Sequence, residues 1–374
     1  MNLERRLEEV GQALADGTAR GRLAGLIRGS AWVTCLAYVA CLAALLAALR
    51  LSGEANVTTA FLLFLPRATF LLPLVLLLPL ALIVSRRLAL VLSASCAAIG
   101  LAGSGLPLRL VAADGMGGDS PPALAVLSYN RGQHQGQSLQ PFKELVMPDV
   151  IALQEAPGRA EGYEGAEGYE EFVSFSSIGE HSLLSRYPIV AQELVGGGGE
   201  GGGGAFAARF VIDFGGRAVA IYSVHLPTPR GELRSYRRGA FLWGVLGLPG
   251  TPWAEKRRGY QGWWDERIGE ARELLQRLEA EELPALVVGD FNAPAGGYIH
   301  GLLRGALRDA HLEAGVGLGY TFPGTTRNPL SGGGPWMRID YLFCDRHWEV
   351  EWCVTERERP SQHRAVAAGF RLRR

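Results

Sequence analysis

Leu286-Val287-Val288-Gly289-Asp290-Phe291-Asn292 is an apolar run that stops abruptly at a carboxylate, with an amide two residues further on. A short continuous apolar run of this kind reads as a strand buried on both faces. Residues i and i+2 of an extended segment point to one face, so Asp290 and Asn292 are expected to address one reacting group. The acid suits a base or metal ligand, and the amide a neutral donor. Upstream, residues 265–282 place Ile268, Ala271, Leu274, Leu275 and Leu278 on one face and Glu270, Arg272, Glu273 and Arg277 elsewhere, the pattern of an amphipathic helix leading into the strand.

Five other strand-end positions carry chemistry. Asn130 follows Leu124-Ala125-Val126-Leu127-Ser128-Tyr129, and Glu155 follows Val150-Ile151-Ala152-Leu153-Gln154. His225 ends Ala220-Ile221-Tyr222-Ser223-Val224, Asp340 sits in Arg338-Ile339-Asp340-Tyr341-Leu342-Phe343, and His363 in Ser361-Gln362-His363-Arg364. A lone glutamate or histidine at a strand end is more often a solvated or merely satisfied polar residue; six such positions in this order point instead to phosphoryl transfer. That chemistry needs a cation for the phosphoryl oxygens, a base for water and donors for the developing charge.

Further short apolar runs at 182–185, 206–213, 217–224, 348–354 and 364–372 read as strands, and 138–146 as a helix. Such a mixed α/β (α+β) set over residues 123–374 suits a sandwich of two sheets covered outside by helices.

In these motifs and their order, residues 123–374 resemble the endonuclease/exonuclease/phosphatase superfamily, the metal-dependent phosphodiesterases and phosphatases that include DNase I. The resemblance implies a four-layer, DNase I-like domain and an Mg²⁺- (or Mn²⁺-) dependent phosphoric-ester hydrolase of the phosphodiesterase, phosphatase or nuclease type. It makes Glu155 the principal Mg²⁺ ligand, helped by Asn130, because hard oxygen donors suit that cation. It gives Asp290 the task of orienting or deprotonating water, and Asn292 and His225 that of binding phosphate oxygens. His363 becomes an acid/base or phosphate donor whose tautomer Asp340 fixes. One departure stands out. The family reads Ser-Asp-His where this chain has Ser361-Gln362-His363, so Gln362 is at best a weak metal ligand. That motivates an alternative, a catalytically weakened or inactive member that binds a phosphate ligand. Thr321-Phe322-Pro323 and Trp336 resemble positions that shape the pocket, and Arg186 an architectural one.

The first third of the chain is of another kind. Residues 29–49, 68–85 and 88–108 hold no Asp, Glu, Lys or Arg, and each run is near the ~20 residues that cross a bilayer as a helix. Residues 55–66 are also uncharged, and either lengthen the second span or lie at the interface. A cleavable signal peptide is disfavoured by the polar stretch 1–28 ahead of the first run and by the spans that follow it. Arg5, Arg6, Arg20, Arg22 and Arg28 before the first span, and Arg86-Arg87 between the second and third, mark the cytoplasmic side. Three spans then place a multi-pass protein in the membrane, expected to be the cell inner membrane, with residues 110–122 as linker and the catalytic domain extracytoplasmic. The resemblance is strongest to bacterial members carrying such helices. The expected partners are the lipid bilayer and a phosphoester substrate, nucleic acid or phospholipid headgroup, with no obligate protein partner. A transporter is the least favoured class, because no charge in the spans marks a pathway.

The formal net charge of zero offers no global field for a polyanion. Cys35, Cys41 and Cys96 fall in the spans, and Cys344 and Cys353 lack metal spacing but flank a candidate hairpin at Asp345-Arg346-His347. The glycine run 196–204 reads as a loop between strands. Residues 227–264, rich in tryptophan and arginine, suit either a membrane surface or a loop packed over the domain; stacking on bases is a weaker option. His134, His181, His300, His311 and His347 are expected to be surface or structural.

Overall fold

A computed structural model of the chain describes residues 18–104, 123–132, 138–197, 204–235, 252–359 and 361–373. These fall into two compact units, Met1–Ala47 with Arg67–Ser104, and Ala48–Pro66 with Gly105–Arg374. The linker expected at 110–122, the tip of the glycine loop, His134 and residues 236–251 of the tryptophan-rich stretch lie outside the described residues.

In the smaller unit, helices α1 (Thr18–Leu51), α3 (Leu74–Val84) and α4 (Arg86–Ser104) carry the apolar runs. Three segments are long and apolar enough to cross a membrane, Gly21–Leu51, Arg67–Val84 and Arg86–Gly103. Ala31, Cys35 and Leu42 of the first pack with Ala81, Leu88, Leu92 and Cys96 of the others, and the Tyr38 hydroxyl donates to the Phe70 carbonyl at 2.8 Å. The uncharged stretch 55–66 holds helix α2 (Val57–Leu63), which belongs to the larger unit and does not extend the second apolar segment, Arg67–Val84.

The larger unit holds two six-stranded sheets. The first runs in the order β11-β12-β1-β2-β4-β3, from β1 (Ala123–Asn130), β2 (Val150–Gln154), β3 (Ser174–Ile178), β4 (His181–Ser185), β11 (Trp348–Thr355) and β12 (Val366–Leu372). The second runs β5-β6-β7-β8-β10-β9, from β5 (Ile189–Val195), β6 (Ala207–Asp213), β7 (Ala218–His225), β8 (Ala285–Asp290), β9 (Arg308–Asp309) and β10 (Asp340–Cys344). Alternation of side chains divides each strand between two interiors. Leu124, Val126, Val150 and Ala152 meet Phe210, Ile221, Leu286, Val288 and Leu342 between the sheets. Leu127, Tyr129, Ile151 and Leu153 face outward onto Phe142, Ala160 and Phe172. On the other side, Tyr222, Val287 and Phe343 lie beneath Ile268, Ala271 and Leu274 of α7 (Pro252–Glu279) and Ile299 and Leu303 of α8 (Tyr298–Ala306). The result is the four-layer arrangement of helices, sheet, sheet and helices.

Several boundaries depart from the sequence reading. The helix expected from 265 begins at Pro252, so its first half is the end of the tryptophan-rich stretch 227–264, and Trp264 is buried rather than offered to a membrane or to bases. The helix expected at 138–146 is the five-residue α5, Phe142–Val146. Strands β3 and β5 carry no apolar run because they are sheet edges, with serines in one and Val190, Ala191 and Gln192 exposed in the other. Cys344 and Cys353 flank no hairpin: β10 and β11 belong to different sheets, and both thiols are buried and free.

The topology gathers strand ends. Strands β1 and β2 run parallel with Asn130 beside Gln154, and β7 and β8 run parallel with His225 beside Asp290. Antiparallel β10 starts with Asp340 opposite Asp290, and antiparallel β12 starts with Val366 opposite Ser128. All six motifs therefore arrive at one end of the sandwich.

Candidate active site

Gly289 explains how β8 comes close enough to β7. Its φ is +141°, and a Cβ there would lie 2.0 Å from the Val224 carbonyl oxygen. Beyond it Asp290 is buried, and Asn130 Nδ2 donates to Asp290 Oδ2 at 2.9 Å and to Glu155 Oε1 at 3.1 Å. One amide thus bridges a carboxylate from each sheet. The Asn130 oxygen accepts from Gly132 N at 2.8 Å, so offering it to a cation requires the amide to turn.

Asn292 reaches the site by a different route from the one expected. It does not continue the strand; its φ is +47°, and the chain turns back so that its N–H donates to Asp290 Oδ1 at 2.8 Å. Its Nδ2 donates to the Leu226 carbonyl at 2.8 Å and to Asp290 Oδ2 at 3.2 Å. Both amide protons are used, and the residue braces Asp290. Glu155, at φ +49°, is also left-handed. Two non-glycine residues in that sparse region within one site mark backbone held against its preference by its surroundings.

His225 and His363 approach the same carboxylate. His225 Nε2 is buried, 3.7 Å from Glu155 Oε1 and 3.9 Å from Asp290 Oδ2, without a hydrogen-bond partner among the described residues. Its Nδ1 lies 2.8 Å from Glu180 Oε1. Burial pulls its pKa down, but Glu180, Asp290 and Glu155 outweigh burial and raise it above the ordinary value. His363 Nδ1 lies 3.1 Å from both Asp340 oxygens, and its Nε2 3.7 Å from Asp290 Oδ2. Burial again opposes the charge, and Asp340 and Asp290 overcome it, pushing the imidazole up to about 9. Asp290 is pushed up to about 6 by burial, with Asp340 adding to the shift and the two histidines opposing it. Thr321 Oγ1 accepts from the Ile339 and Asp340 N–H groups at 3.3 Å, and the Phe322 ring lies tilted at 48° to that of His363, centroids 4.9 Å apart.

Ligand atoms of Asp290, Asp340 and His363 lie within 4.8 Å of one another. His363 Nδ1 is already hydrogen-bonded to Asp340, so this trio is better matched to proton movement. Glu155, whose partly exposed carboxylate adjoins Asp290, the Asn130 amide and the His225 Nε2, could hold a divalent cation. The carboxylate oxygens of Glu155 and Asp290 are the hard donors such an ion prefers.

The structure thus brings Asn130, Glu155, His225, Asp290, Asn292, Asp340 and His363 together. Gln362, next to His363, has its Oε1 engaged, accepting from Arg230 Nη2 at 2.9 Å. Trp336 donates to the Phe64 carbonyl at 3.1 Å instead of presenting its polar edge to the cleft. Arg186 lies 3.7 Å from Asp149 and 3.6 Å from Glu171. His181 bonds Ser223 and His300 bonds Asp309, both buried. His311 bonds the Gly317 carbonyl and His347 bonds Asp345. Glu180 is the functional candidate missing from the sequence reading. Its only signal is the Gly179-Glu180 turn between β3 and β4, which pair Ile178 with His181.

A family profile described as "Endonuclease/Exonuclease/phosphatase family" matches residues 121–363. Solved structures similar to this chain include an endonuclease/exonuclease/phosphatase family protein from Bacteroides thetaiotaomicron, 16% identical, with a TM-score of 0.47 over 68% of this chain and 100% of that one. Another is a mannosyl-6-phosphatase of the same organism, 16% identical, with a TM-score of 0.44 over 66% of this chain and 99% of the other. A third is the human Nocturnin catalytic domain, 16% identical, with a TM-score of 0.44 over 68% and 97%. No curated protein matches the sequence.

Proposed function

Because this chain belongs to the endonuclease/exonuclease/phosphatase family of phosphoester hydrolases, we propose that it is a membrane-anchored, Mg²⁺- or Mn²⁺-dependent hydrolase of phosphoric esters. The observation that carries the reading is the bridge from Glu155 through Asn130 to Asp290, flanked by two buried imidazoles that each lean on a carboxylate. The family generally depends on a divalent metal. Glu155, with Asn130, would hold that ion, which when bound neutralises phosphoryl oxygens and makes water more acidic.

Every other task falls to side chains of this protein. Asp290 Oδ2 is the buried acceptor for a proton from the attacking water, and Asn130 and Asn292 fix its two oxygens. His363, charged near neutrality and supported by Asp340, gives a proton to the leaving oxygen or a hydrogen bond to the phosphoryl group. His225 keeps Nδ1 on Glu180 and turns Nε2 toward the phosphoryl oxygens. Three helices of spanning length in a chain that bears this centre support anchorage at a bilayer, where tethering raises the effective concentration of lipid headgroups. Phospholipid headgroups and nucleic acid are the leading substrates.

The test is hydrolysis by the full chain in detergent, with Mg²⁺ or Mn²⁺, of bis-p-nitrophenyl phosphate, DNA and phospholipid vesicles. Activity on at least one, abolished by Asp290→Asn and by chelator, is the expected result. Inactivity on all three under conditions where the chain is folded overturns the reading.

A further inference from the structure

Helix α8 starts eight residues after Asp290, and its own first position cannot cap it. The N-cap is Gly297, which has no side-chain oxygen. The missing acceptor arrives from 244 residues earlier: Glu54 Oε2 accepts from Tyr298 N at 2.6 Å and from Ile299 N at 3.3 Å. Glu54 is fully buried, in a 3-10 turn, Gly53–Ala55, that lies between the first and second candidate spans. A carboxylate capping a helix start gains from the exposed N–H groups and from the helix dipole.

With Glu54 in place, the fit leaves no room for a side chain at either glycine. A Cβ on Gly53 would lie 2.3 Å from Tyr298 N, and one on Gly297 would lie 2.6 Å from Glu54 Oε1. Gln261 of α7 clamps the next residues, accepting from Val57 N at 2.8 Å and donating to the Ala55 carbonyl at 3.2 Å. Farther along, the Phe64 carbonyl accepts from Trp336 Nε1, and the Phe64 ring lies 5.8 Å from that of Trp264. The stretch is thus bound along its length to the catalytic unit.

What it holds is the far end of the catalytic turn. Between Asn292 and α8 the backbone is tied on the inner side: Ala295 N donates to the Arg338 carbonyl, and Gly296 N donates to His300 Nδ1. His300 Nε2 in turn lies 2.9 Å from Asp309, which Arg338 grips through both guanidinium nitrogens at 2.8 and 2.7 Å. The first backbone N–H groups of α8 are tied to Glu54, and the Tyr298 hydroxyl accepts from Arg272 Nη2 of α7 at 3.2 Å.

Resting on the reading of this cleft as a phosphoesterase centre, we infer that Glu54 is a positioning residue of that centre. From the segment between two candidate spans it fixes the start of α8, and through α8 the turn that aims Asp290. The role needs an acceptor oxygen rather than a charge. Burial pushes the Glu54 carboxyl up to about 7 against the pull of the backbone N–H donors, and Oε1 has no partner among the described residues.

The experiment compares the full chain with its Glu54→Ala and Glu54→Gln variants in detergent, by amide hydrogen exchange and by steady-state hydrolysis of bis-p-nitrophenyl phosphate with Mn²⁺. Glu54→Ala is expected to speed exchange in a peptide covering 291–301 at least tenfold. It should lower kcat about tenfold with KM within twofold, and Glu54→Gln should restore both. Adding Gly297→Ser to Glu54→Ala returns an oxygen to the N-cap from within α8. It should recover the exchange protection and kcat, and it replaces the single variant if that one does not fold. Faster exchange confined to 53–64 with unchanged kcat overturns the inference, as does a folded rescue variant that remains tenfold slow. If wild type itself hydrolyses nothing, the functional reading fails, while exchange at 291–301 still decides whether Glu54 holds the turn.

Discussion

His225 Nδ1 lies 2.8 Å from Glu180 Oε1, so the imidazole's other nitrogen is turned to Glu155 and Asp290. Glu180 comes from a two-residue turn on the first sheet and His225 from the end of a strand on the second. The pair therefore spans the cleft and sets the ring's orientation from outside the reacting groups. Glu180→Ala should lower kcat by about 10- to 100-fold, the usual effect of removing the carboxylate that orients a site histidine. Glu180→Gln, which keeps an acceptor, should lose less. Steady-state rates on bis-p-nitrophenyl phosphate decide, and a Glu180→Ala rate within twofold of wild type would detach Glu180 from the site.

The Asp340–His363 pair makes a stronger claim. Both residues are buried, and Nε2 faces Asp290, so the imidazole is set to exchange protons rather than to fill a core. His363→Ala should cost about 10²- to 10⁴-fold in kcat, the range for losing a general acid–base group. Asp340→Asn should lose part of that while the fold persists, because Thr321 still bonds the backbone there. Rates together with thermal melting separate lost chemistry from lost structure.

These sites differ in how far sequence discloses them. Asn130, His225 and Asp290 end apolar strands buried on both faces, and Glu155 directly follows another, so hydropathy alone places them; order then suggests their company. Glu180 sits in a turn of an edge hairpin whose β3 is serine-rich, where no periodicity points inward. Glu54 is harder still. Its surroundings read as membrane segment, and its partner lies 244 residues away. Asn292 shows the converse: the residue was visible, but the strand alternation used to aim it fails at φ +47°.

Gln362 occupies the position where the family motif has aspartate, and Arg230 holds its amide oxygen. Restoring the acid alone should therefore achieve little, since a new carboxylate would pair with the guanidinium already in contact. Gln362→Asp is expected to leave the Mn²⁺ concentration for half-maximal activity within about twofold, an exposed pair being weak but sufficient to occupy the acid. Adding Arg230→Met frees the carboxylate, and the required Mn²⁺ concentration should fall on the order of tenfold. An equally large fall in the single variant would contradict the pairing.

Asp309 is where stability is concentrated beneath the site. Its side chain is 1% exposed and that of Arg338 3%, joined by two short bonds, with His300 and the backbone N–H groups of His311 and Leu312 as further partners. Arg338 and His300 hold the Asp309 carboxyl far below the usual range although burial opposes them. Because the folded pKa is depressed, this stabilisation is complete above the unfolded value of 3.8 and is lost only as pH falls below it. Stability between pH 5 and 8 should thus be insensitive to this group. Asp309→Ala should cost about 3–5 kcal/mol by leaving a buried guanidinium unpaired, and Asp309→Leu with Arg338→Met should recover most of it. Urea denaturation of the three proteins tests this.

The placement of residues 48–66 in the catalytic unit bears on membrane topology by parity. A segment whose Glu54, Val57 and Phe64 are bonded to Tyr298, Gln261 and Trp336 must lie on the same side of a bilayer as those residues. Between Pro66 and Ser104 there are two segments of spanning length, Arg67–Val84 and Arg86–Gly103, and two crossings return the chain to the side it left. If both segments cross, the turn at Arg86-Arg87 falls on the opposite side, where paired arginines are retained when that side is cytoplasmic. In a Cys41→Ser background on intact cells, an impermeant maleimide should label Ala55→Cys and Glu167→Cys alike, both positions being exposed. Arg87→Cys should react only after the membrane is opened. Labelling of Ala55→Cys and Glu167→Cys from opposite sides would refute the shared location, whereas reversal of all three would keep the docking and invert the orientation drawn from the arginines.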